Sequence, residues 1–389
     1  MNQLLNRYTD TRKKTEGICK PLITEDYVVQ PISDVSPPKW HLGHTTWFFE
    51  EMILKQFVDG YVPFDSNYGF VFNSYYETLG ARTLRTDRGN LSRPSVEDVY
   101  RYRTYVDDAM LTLFAEEHDD RDKIETMTIL GIHHEGQHQE LLVTDIKYIL
   151  GHNPLFPPYV VGQQIKHEKK QTDFIKVDAG MCHIGHSGKG FHFDNELGRH
   201  QVYLNEFSIA SELVTNGEWM EFISDGGYEN VHLWLSEGWE WVQNNKIIAP
   251  LYWYALTVVN RMCWGECYEL TGLTEIDENA PVTHVSYYEA NAFARWKGMR
   301  LPTEFEWERA SGLFDWGSRW EWTESAYLPY PGYSKPDGAV GEYNGKFMVS
   351  QMVLRGASEH TPKDQVRETY RNFFHPRHRW QFTGIRLAK

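Results

Sequence analysis

The sequence predicts an α+β protein of two unlike domains, a four-helix bundle followed by a mixed α/β domain. Three observations predict it. The chain has 389 residues, more than one ordinary domain requires. Apolar residues recur at helical spacing over residues 1–155, whereas short strand-like runs broken by glycine, aspartate and asparagine fill residues 173–389. Prolines and a polar run occupy residues 156–172, which we interpret as a linker.

The first half contains four predicted helices, enough for a bundle. They cover about Leu4–Lys20, Pro38–Phe57, Ser95–His118 and Asp122–Leu150. Ser95 and Asp98 form a predicted capping pair at the start of the third helix. The connection 59–93 is aromatic and arginine-rich and is too long for a simple bundle loop, which is typical of a functional segment.

The second half contains strands and helices in irregular order, without an internal repeat. The predicted strands are Phe174–Val177, Met181–Ile184, Val202–Ile209, Pro281–Val285 and Met352–Arg355. The predicted helices are Thr215–Ile223 and Ser286–Lys297. This pattern favours a mixed α/β domain.

The composition restricts the class of function. Aromatic residues make up 15% of the chain, which excludes a disordered protein. The formal net charge of −15 disfavours nucleic acid and anionic membranes as partners. Four cysteines do not suggest a disulfide framework, and neither a signal peptide nor an apolar run of membrane-spanning length is found. We therefore expect a cytoplasmic enzyme.

A group of histidines in the predicted bundle indicates a metal site. His134 and His138 are four residues apart, so both rings lie on one helix face and can bind one ion. Polar residues interrupt the apolar stripe over 133–140, and an inward polar patch needs partners. A second pair, His41 and His44, lies on another helix, and bundles build metal sites from facing helices. The alternative is a pair of ordinary surface or core histidines.

The string HEGQH at His134–His138 also fits HExxH, the zinc-protease pattern. There Glu135 would be the general base, and a third ligand would follow. The histidine-rich extension of that pattern is absent after His138. A zinc metalloprotease is therefore a remote alternative.

Longer motifs lie along both halves of the chain. In the first half they are PKWHLGH (Pro38–His44), FNSYYE (Phe72–Glu77) and HEGQHQE (His134–Glu140). In the second half they are PVTHVSYYEA (Pro281–Ala290), RLPTEFEWE (Arg300–Glu308), LRGA (Leu354–Ala357), YRNFF (Tyr370–Phe374) and GIRL (Gly384–Leu387). Together, and in this order, they resemble the ergothioneine-biosynthesis sulfoxide synthases. The resemblance implies a DinB-like four-helix bundle followed by a formylglycine-generating-enzyme-like domain related to C-type lectins.

That family joins the sulfur of cysteine or γ-glutamylcysteine to the imidazole C2 of hercynine, the trimethylated betaine of histidine, in an O2-dependent step that yields a sulfoxide. The resemblance implies Fe(II) held by His44, His134 and His138. Three imidazoles leave coordination positions open, which the substrates need. His41 and His133 are expected to be structural neighbours. Glu135 and Glu140 either orient a ligand ring or are solvated carboxylates.

The resemblance also implies a hercynine site. Gln137 matches the position that contacts the imidazole. The trimethylammonium group cannot donate a hydrogen bond and calls for aromatic faces. Asn372, Phe373 and Phe374 match the family's stretch that binds this cation, although a Phe-Phe pair alone would indicate ordinary core.

The connection 59–93 supplies the remaining expected site residues. The resemblance implies that Tyr75 and Tyr76 act as a proton donor where O2 is reduced, without separating the two. Arg82, Arg85 and Arg88 are expected to bind the carboxylate of the sulfur donor, since guanidinium groups match carboxylates. The alternative is a basic loop packed on an acidic protein.

Other functions stay open on the sequence. A selenoneine-type C–Se synthase would take a selenosugar, and a 5-histidylcysteine sulfoxide synthase would bind unmethylated histidine. A DinB-like thiol-dependent transferase or a binding module would need no O2. Formylglycine generation is not expected, because Cys263 and Cys267 do not match the catalytic thiols of that enzyme.

Overall fold

The computed structural model describes residues 2–162, 164–258, 261–335, 341 and 344–389. They divide into two compact units. The first unit comprises the chain up to Val160 together with His360–Gln365, and the second comprises Val161–Glu359 and Val366–Lys389. The segment His360–Gln365 therefore belongs with the helical unit although the sequence places it in the second domain. A short polar segment carries no periodicity that would reveal this.

The first unit is a helical bundle, as predicted. Its helices are α1 (Asn2–Cys19), α2 (Pro38–Phe49), α3 (Lys55–Phe57), α4 (Tyr68–Val71), α5 (Val96–Ala115) and α6 (Arg121–Gly151). Helices α1 and α2 pack against α6, and α2 also packs against α5. The predicted helix Pro38–Phe57 changes to π-helical geometry at Glu50–Leu54, between α2 and α3. Such turns often occur near functional sites.

The predicted capping pair at the start of α5 is confirmed. The Ser95 hydroxyl accepts a hydrogen bond from the Asp98 amide at 3.1 Å, and the Asp98 carboxylate accepts from the Ser95 amide at 3.0 Å. Two backbone donors that the helix itself leaves without partners are thereby satisfied. This fixes where α5 leaves the long connection.

A buried carboxylate joins three helices of the bundle. Glu135 on α6 accepts hydrogen bonds from Arg12 on α1 at 2.9 Å and from Arg103 on α5 at 3.0 Å. The Thr15 hydroxyl donates to the same carboxylate at 2.6 Å. Burial acts to raise the pKa of Glu135, but the two arginines lower it to about 2. The carboxylate is therefore ionised and structural.

Removal of this carboxylate is expected to destabilise the bundle. Glu135→Ala leaves two buried guanidinium groups without their shared anion, and breaking a buried pair in this way costs about 3–5 kcal/mol. Denaturant unfolding measures the loss. Glu125→Ala, at an exposed i,i+4 pair with Arg121 on the same helix, is the control and should change stability little. Equal losses in the two variants would contradict the assignment.

The same carboxylate gives a pH dependence with a defined sign. The folded-state pKa of Glu135 is about 2 against an ordinary value of 4.5. The stabilisation is therefore fully present above about pH 4.5 and is lost as the pH falls toward 2. Between pH 5 and pH 8 the contribution of Glu135 to the free energy of unfolding should not vary.

The second unit is a mixed α/β domain. Its helices are α7 (Asn216–Ser224), α8 (Ser236–Asn245), α9 (Tyr287–Trp296) and α10 (Glu304–Ala310). Its strands are β1 (Phe174–Val177), β2 (Gly180–Ile184), β3 (His200–Leu204), β4 (Phe207–Ala210), β5 (Trp253–Val258), β6 (Arg261–Glu269), β7 (Gly272–Glu275), β8 (Trp320–Ala326), β9 (Met352–Gly356), β10 (Asn372–Phe374) and β11 (Thr383–Gly384). One sheet has the order β10-β9-β8-β11, with β11 parallel to β8. The strands of β1-β4, β2-β3 and β5-β6-β7 are antiparallel.

Two strand predictions in this unit are wrong. The predicted strand Val202–Ile209 is two strands, β3 and β4, separated by Asn205 and Glu206. The predicted strand Pro281–Val285 forms only an isolated bridge between Pro281 and Thr215. Proline cannot donate to a ladder, and His284 has a left-handed backbone with φ 59°. The hydrophobic pattern does not report either feature.

The remaining predicted elements of the second unit are observed. Strands β1, β2 and β9 and helices α7 and α9 lie where the sequence predicts them, to within a few residues. Helix α9 begins after Ser286, whose hydroxyl accepts a hydrogen bond from the Glu289 amide. In the part of the chain that the structure describes, no helix combines the length and the apolar character needed to cross a membrane.

Candidate metal centre

Helices α2 and α6 bring three histidines together inside the first unit. One ring nitrogen from each of His44, His134 and His138 lies within 4.8 Å of the others. His44 and His134 are buried, and His138 is half-buried. His134 and His138 lie one turn apart on α6, and His44 faces them from α2. These are the three residues that the sequence predicts as metal ligands.

The surroundings of His44 leave one ring nitrogen available. Its Nδ1 lies 2.7 Å from the Phe72 carbonyl oxygen, which can only accept, so Nδ1 carries the proton. Its Nε2 is buried and has no hydrogen-bond partner among the described residues. The ring is stacked between Trp40, at 4.5 Å between centroids, and Trp47, at 5.4 Å. A buried lone pair held in a fixed direction fits a metal ion.

The protonation state of the three rings also fits a metal. Burial and the neighbouring His134 lower the pKa of His44 and of His138 well below the usual range. Burial lowers the pKa of His134 to about 3, although the charge of Glu135 acts to raise it. The rings are therefore neutral at pH 7, which is the form that binds metals.

His41 lies beside the cluster but is not placed to be a fourth ligand. Its Nδ1 lies 2.9 Å from Nδ1 of His138, and its Nε2 lies 3.0 Å from a carboxylate oxygen of Asp145. Both ring nitrogens are thus engaged. His133, which precedes His134 on α6, has its Nε2 3.4 Å from an Arg7 guanidinium nitrogen. The geometry therefore separates His41 and His133 from the three clustered rings.

The two carboxylates that the sequence leaves open have defined partners. Glu135 is held by Arg12 and Arg103, so it is neither solvated nor turned toward a ligand ring. A general base must be free to approach substrate, so the metalloprotease interpretation gains no support from Glu135. Glu140 accepts a hydrogen bond from the Thr361 hydroxyl at 2.8 Å.

The predicted tyrosines lie outside the helices, as expected, and differ in burial. Tyr76 is 1% exposed, whereas Tyr75 is half-buried. Their rings are stacked at 4.7 Å, and the Tyr76 ring lies 5.3 Å from the Trp47 ring. Since Trp47 stacks on His44, Tyr76 is separated from that candidate ligand by a single aromatic ring.

The three arginines of the connection have different environments. Arg82 pairs with Glu77 at 2.8 Å, and exposed Arg85 donates to the Asp34 carbonyl. Arg88 is buried, with its guanidinium carbon 3.3 Å from the centre of the Trp40 ring. Only Arg88 of the three is therefore in contact with a residue that packs on the histidine cluster.

The predicted hercynine residues lie in different units. Gln137 is half-buried on α6 of the first unit, next to His138 in sequence. Asn372, Phe373 and Phe374 form β10 of the second unit and are half-buried. The Asn372 side chain accepts from the Phe373 amide at 2.9 Å. The structure therefore places Gln137 on the helix that carries His134 and His138, and it describes the aromatic stretch as a separate feature.

The aromatic stretch has its own packing. Phe373 is stacked on Tyr327 at 4.1 Å and lies 5.9 Å from Phe347. Phe374 makes edge contacts with Trp380 at 5.6 Å and with His378 at 6.3 Å. Phe373 thus belongs to a stack of three aromatic rings. Phe374 belongs to a separate group in which its ring meets Trp380 and His378 edge to face.

Sequence reasoning missed the residues that hold the cluster in place. Trp40 and Trp47 lie four residues before and three after His44, on the same helix face. Asp145 lies seven residues after His138, two turns along the same face of α6. Helical spacing from the histidines could have indicated all three residues.

Comparisons with known proteins agree with this architecture. Residues 7–142 match the DinB superfamily, and residues 161–318 match the sulfatase-modifying factor enzyme 1-like domain. A formylglycine-generating enzyme of Streptomyces coelicolor is 33% identical over 38% of this chain and 49% of its own length.

Several relatives are hercynine oxygenases by name. The protein from Mycolicibacterium smegmatis is 33% identical over 50% of this chain and 55% of its own length. The protein from Mycolicibacterium thermoresistibile is 28% identical over 66% of this chain and 67% of its own length. The match to the M. smegmatis protein thus spans about half of that relative. The chain is a homologue of the hercynine oxygenases that combines a DinB-type domain with a formylglycine-generating-enzyme-type domain, the combination that its motifs predict.

Proposed function

We propose that this protein is an iron(II)- and O2-dependent sulfoxide synthase that joins the sulfur of cysteine, or of γ-glutamylcysteine, to the imidazole C2 of hercynine. The observation that carries the proposal is the cluster of His44, His134 and His138, neutral and within 4.8 Å of one another. The hercynine oxygenases among its relatives support hercynine as one substrate.

The proposed reaction is balanced without a further reductant. The C2–H bond of hercynine and the S–H bond of the donor are broken, and one C–S bond forms. One oxygen atom of O2 becomes the sulfoxide oxygen, and the other leaves as water with the two released hydrogens. The four electrons that O2 accepts come equally from C–S bond formation and from oxidation of the sulfur.

The three histidines would hold the iron. Three neutral imidazoles suit first-row divalent metals and would leave positions of the ion open to substrates. Bound iron(II) would supply the one-electron and O2 chemistry that side chains lack. The side chains would then have three tasks: they hold the iron, position the two organic substrates and provide a proton.

Arg88 is the strongest candidate for the carboxylate of the sulfur donor. It is 7% exposed and donates to the Ser36 hydroxyl at 2.8 Å. Its Nε has no hydrogen-bond partner, and no carboxylate pairs with Arg88 among the described residues. Burial and the neighbouring Arg85 lower the pKa of Arg88 well below its usual range. A buried cation in this state is stabilised by any carboxylate that reaches it.

Arg82 and Arg85 have smaller proposed roles. The pairing of Arg82 with Glu77 reduces the charge that it can offer to a substrate. Arg85 is exposed, so a carboxylate bound there would be screened by solvent. Both add positive charge around Arg88, and we assign the direct contact to Arg88.

For hercynine we propose Gln137 as the imidazole contact and the β10 stretch as the ammonium contact. Gln137 follows His134 by three residues on α6, a spacing at which two side chains are neighbours on the helix surface. Phe374 offers an aromatic face beside Trp380, which suits a quaternary ammonium. Asn372 and the stacked Phe373 would shape that contact.

Tyr76 is the proposed proton donor of the tyrosine pair. Tyr76→Phe is expected to lower the ratio of sulfoxide product to thiol-oxidation product, because the hydroxyl would no longer supply a proton where O2 is reduced. Tyr75→Phe should change this ratio less. Tyr75 is half-buried and stacks on Tyr76, and it is the Tyr76 ring that contacts Trp47 beside His44. Product ratios by mass spectrometry measure this. An unchanged ratio in both variants would remove the pair from the mechanism.

A panel of donors tests the proposal. The protein is reconstituted anaerobically with Fe(II) and then mixed with O2 and either hercynine or histidine. Each mixture also contains cysteine, γ-glutamylcysteine or a selenosugar, and the products are analysed by mass. We expect a C–S product from one of the two thiols. A C–Se product alone would favour the selenoneine-type synthase, for which a sugar donor would leave Arg88 without a carboxylate. A product with histidine but none with hercynine would favour the 5-histidylcysteine synthase.

A further inference from the structure

A hydrogen-bonded chain of buried side chains ends on one of the candidate metal ligands. His41 on α2 bridges His138 and Asp145, which lie two turns apart on α6, at 2.9 Å and 3.0 Å. His41 and Asp145 are each 2% exposed. The Ser36 amide donates to the same Asp145 oxygen at 2.8 Å. Water therefore has little access to the contact between His41 and Asp145.

The chemistry of Asp145, His41 and His138 determines which group donates in each hydrogen bond. A carboxylate oxygen accepts hydrogen bonds, so the proton in the 3.0 Å contact belongs to Nε2 of His41, which donates it to Asp145. An imidazole that carries its single proton on Nε2 has its lone pair on Nδ1, which makes Nδ1 of His41 the acceptor. The proton in the 2.9 Å contact then belongs to Nδ1 of His138. The lone pair of His138 is consequently on Nε2.

The two helices orient their ligands by different means. Nδ1 of His44 donates to a backbone carbonyl, that of Phe72 at 2.7 Å. Nδ1 of His138 instead donates to a second imidazole, which a carboxylate holds in turn. Partners of this kind fix the tautomer and ring direction of a metal-binding histidine, and a carboxylate at the end also raises the basicity of the ligand.

We propose that His41 and Asp145 are positioning residues that lock His138 with its proton on Nδ1, and that they thereby set the metal affinity of the three-histidine cluster. The proposal rests on the metal site of the proposed function. It assigns a role to a histidine that is not itself a ligand. It also explains why α2 carries His41 and His44 three residues apart. His44 belongs to the cluster itself, and His41 holds His138, a ligand on the facing helix α6.

The tautomer can be measured without any metal. In metal-free protein labelled with 15N-histidine, long-range proton–nitrogen spectra distinguish a proton on Nδ1 from one on Nε2, and His138→Gln identifies the signal. We expect His138 to be protonated on Nδ1 in the wild-type chain. Asp145→Asn should shift it toward a mixture, because an amide can donate as well as accept. A wild-type His138 with its proton on Nε2 would overturn the proposal.

Affinity for Co(II), followed by its visible absorption, tests the consequence. Asp145→Asn and His41→Leu are expected to weaken binding by about 10–100-fold, as the loss of such partners usually does. His41→Gln should lose less than His41→Leu, because an amide can both accept from His138 and donate to Asp145. His133→Asn, at a buried histidine of the same helix outside the cluster, is the matched control and should keep the wild-type affinity.

The experiments distinguish failure of the positioning role from failure of the proposed metal site. Thermal unfolding of each metal-free variant shows whether it folds, and equal Co(II) affinity in folded wild type, Asp145→Asn and His41→Leu would contradict the positioning role. Equal losses in His41→Gln and His41→Leu would contradict the bridging role of His41. If the wild type binds neither Co(II) nor Fe(II), the proposed metal site is wrong, while the tautomer of His138 still decides whether the hydrogen-bonded chain has the stated direction.

Discussion

His134→Ala and His138→Ala are each expected to abolish stoichiometric Fe(II) binding and all turnover. Each change removes one of only three nitrogen donors, and no other described residue joins the cluster of His44, His134 and His138. His41 cannot substitute, because both of its ring nitrogens are engaged. His44→Ala should behave in the same way and also leave a void between the indole rings of Trp40 and Trp47.

Iron content after anaerobic reconstitution and gel filtration measures this effect. His152→Ala, at an exposed histidine just after α6, is the control and should retain one iron per chain. Thermal unfolding of the metal-free variants distinguishes loss of a ligand from loss of the fold. A full complement of iron in His134→Ala or His138→Ala would refute the ligand assignment.

Arg88→Ala is expected to weaken the apparent affinity for the sulfur donor by at least about 30-fold, with little change for hercynine. Loss of one partner of a buried, hydrogen-bonded charge pair costs about 2–5 kcal/mol, and each 1.4 kcal/mol is about tenfold. Arg88 is buried and forms no ion pair with a carboxylate among the described residues, although the charge of nearby Asp145 acts on it, so a substrate carboxylate would be its first direct partner. Steady-state kinetics with each substrate varied separately measure the effect.

A donor that lacks the carboxylate makes the test specific. Cysteamine keeps the thiol and the amine of cysteine but has no carboxylate. In the wild type, cysteine should bind far better than cysteamine, and in Arg88→Ala the two should become nearly equal. Arg121→Ala, which removes an exposed arginine from the same unit, is the control for net charge. If Arg88→Ala weakened cysteine and cysteamine equally, the carboxylate assignment would be wrong.

The sequence predicts the helical unit better than the mixed unit, for a physical reason. The apolar periodicity that makes α5 amphipathic is long and local, and its start at Ser95 carries a chemical signature that the structure confirms. The end of β3 and the failure of Pro281–Val285 to form a strand depend on single turns and on backbone angles. No periodic pattern encodes such features. The position of His360–Gln365 depends on partners far away in sequence.

In the candidate site, too, some features could be predicted from local sequence and others depend on the tertiary structure. His134 and His138 could be grouped from their spacing alone, and the motif PKWHLGH added His44 through resemblance. The partners of Glu135 and the burial of Arg88 could not be predicted, because each depends on which residues reach it from other parts of the fold. Glu135 proves to be paired with Arg12 and Arg103, whereas no described residue forms such an ion pair with buried Arg88. Local sequence contains no signal for that difference.

The most direct test of the central claim is the mass of the product formed from hercynine and cysteine under 18O2 by the Fe(II)-reconstituted protein. The proposal predicts a single main product whose mass is the sum of both substrates, less two hydrogens, plus one 18O atom. The same product should be absent when O2 or iron is omitted. A failure to form any C–S product with cysteine or γ-glutamylcysteine, or a C–S product that contains no 18O, would contradict it.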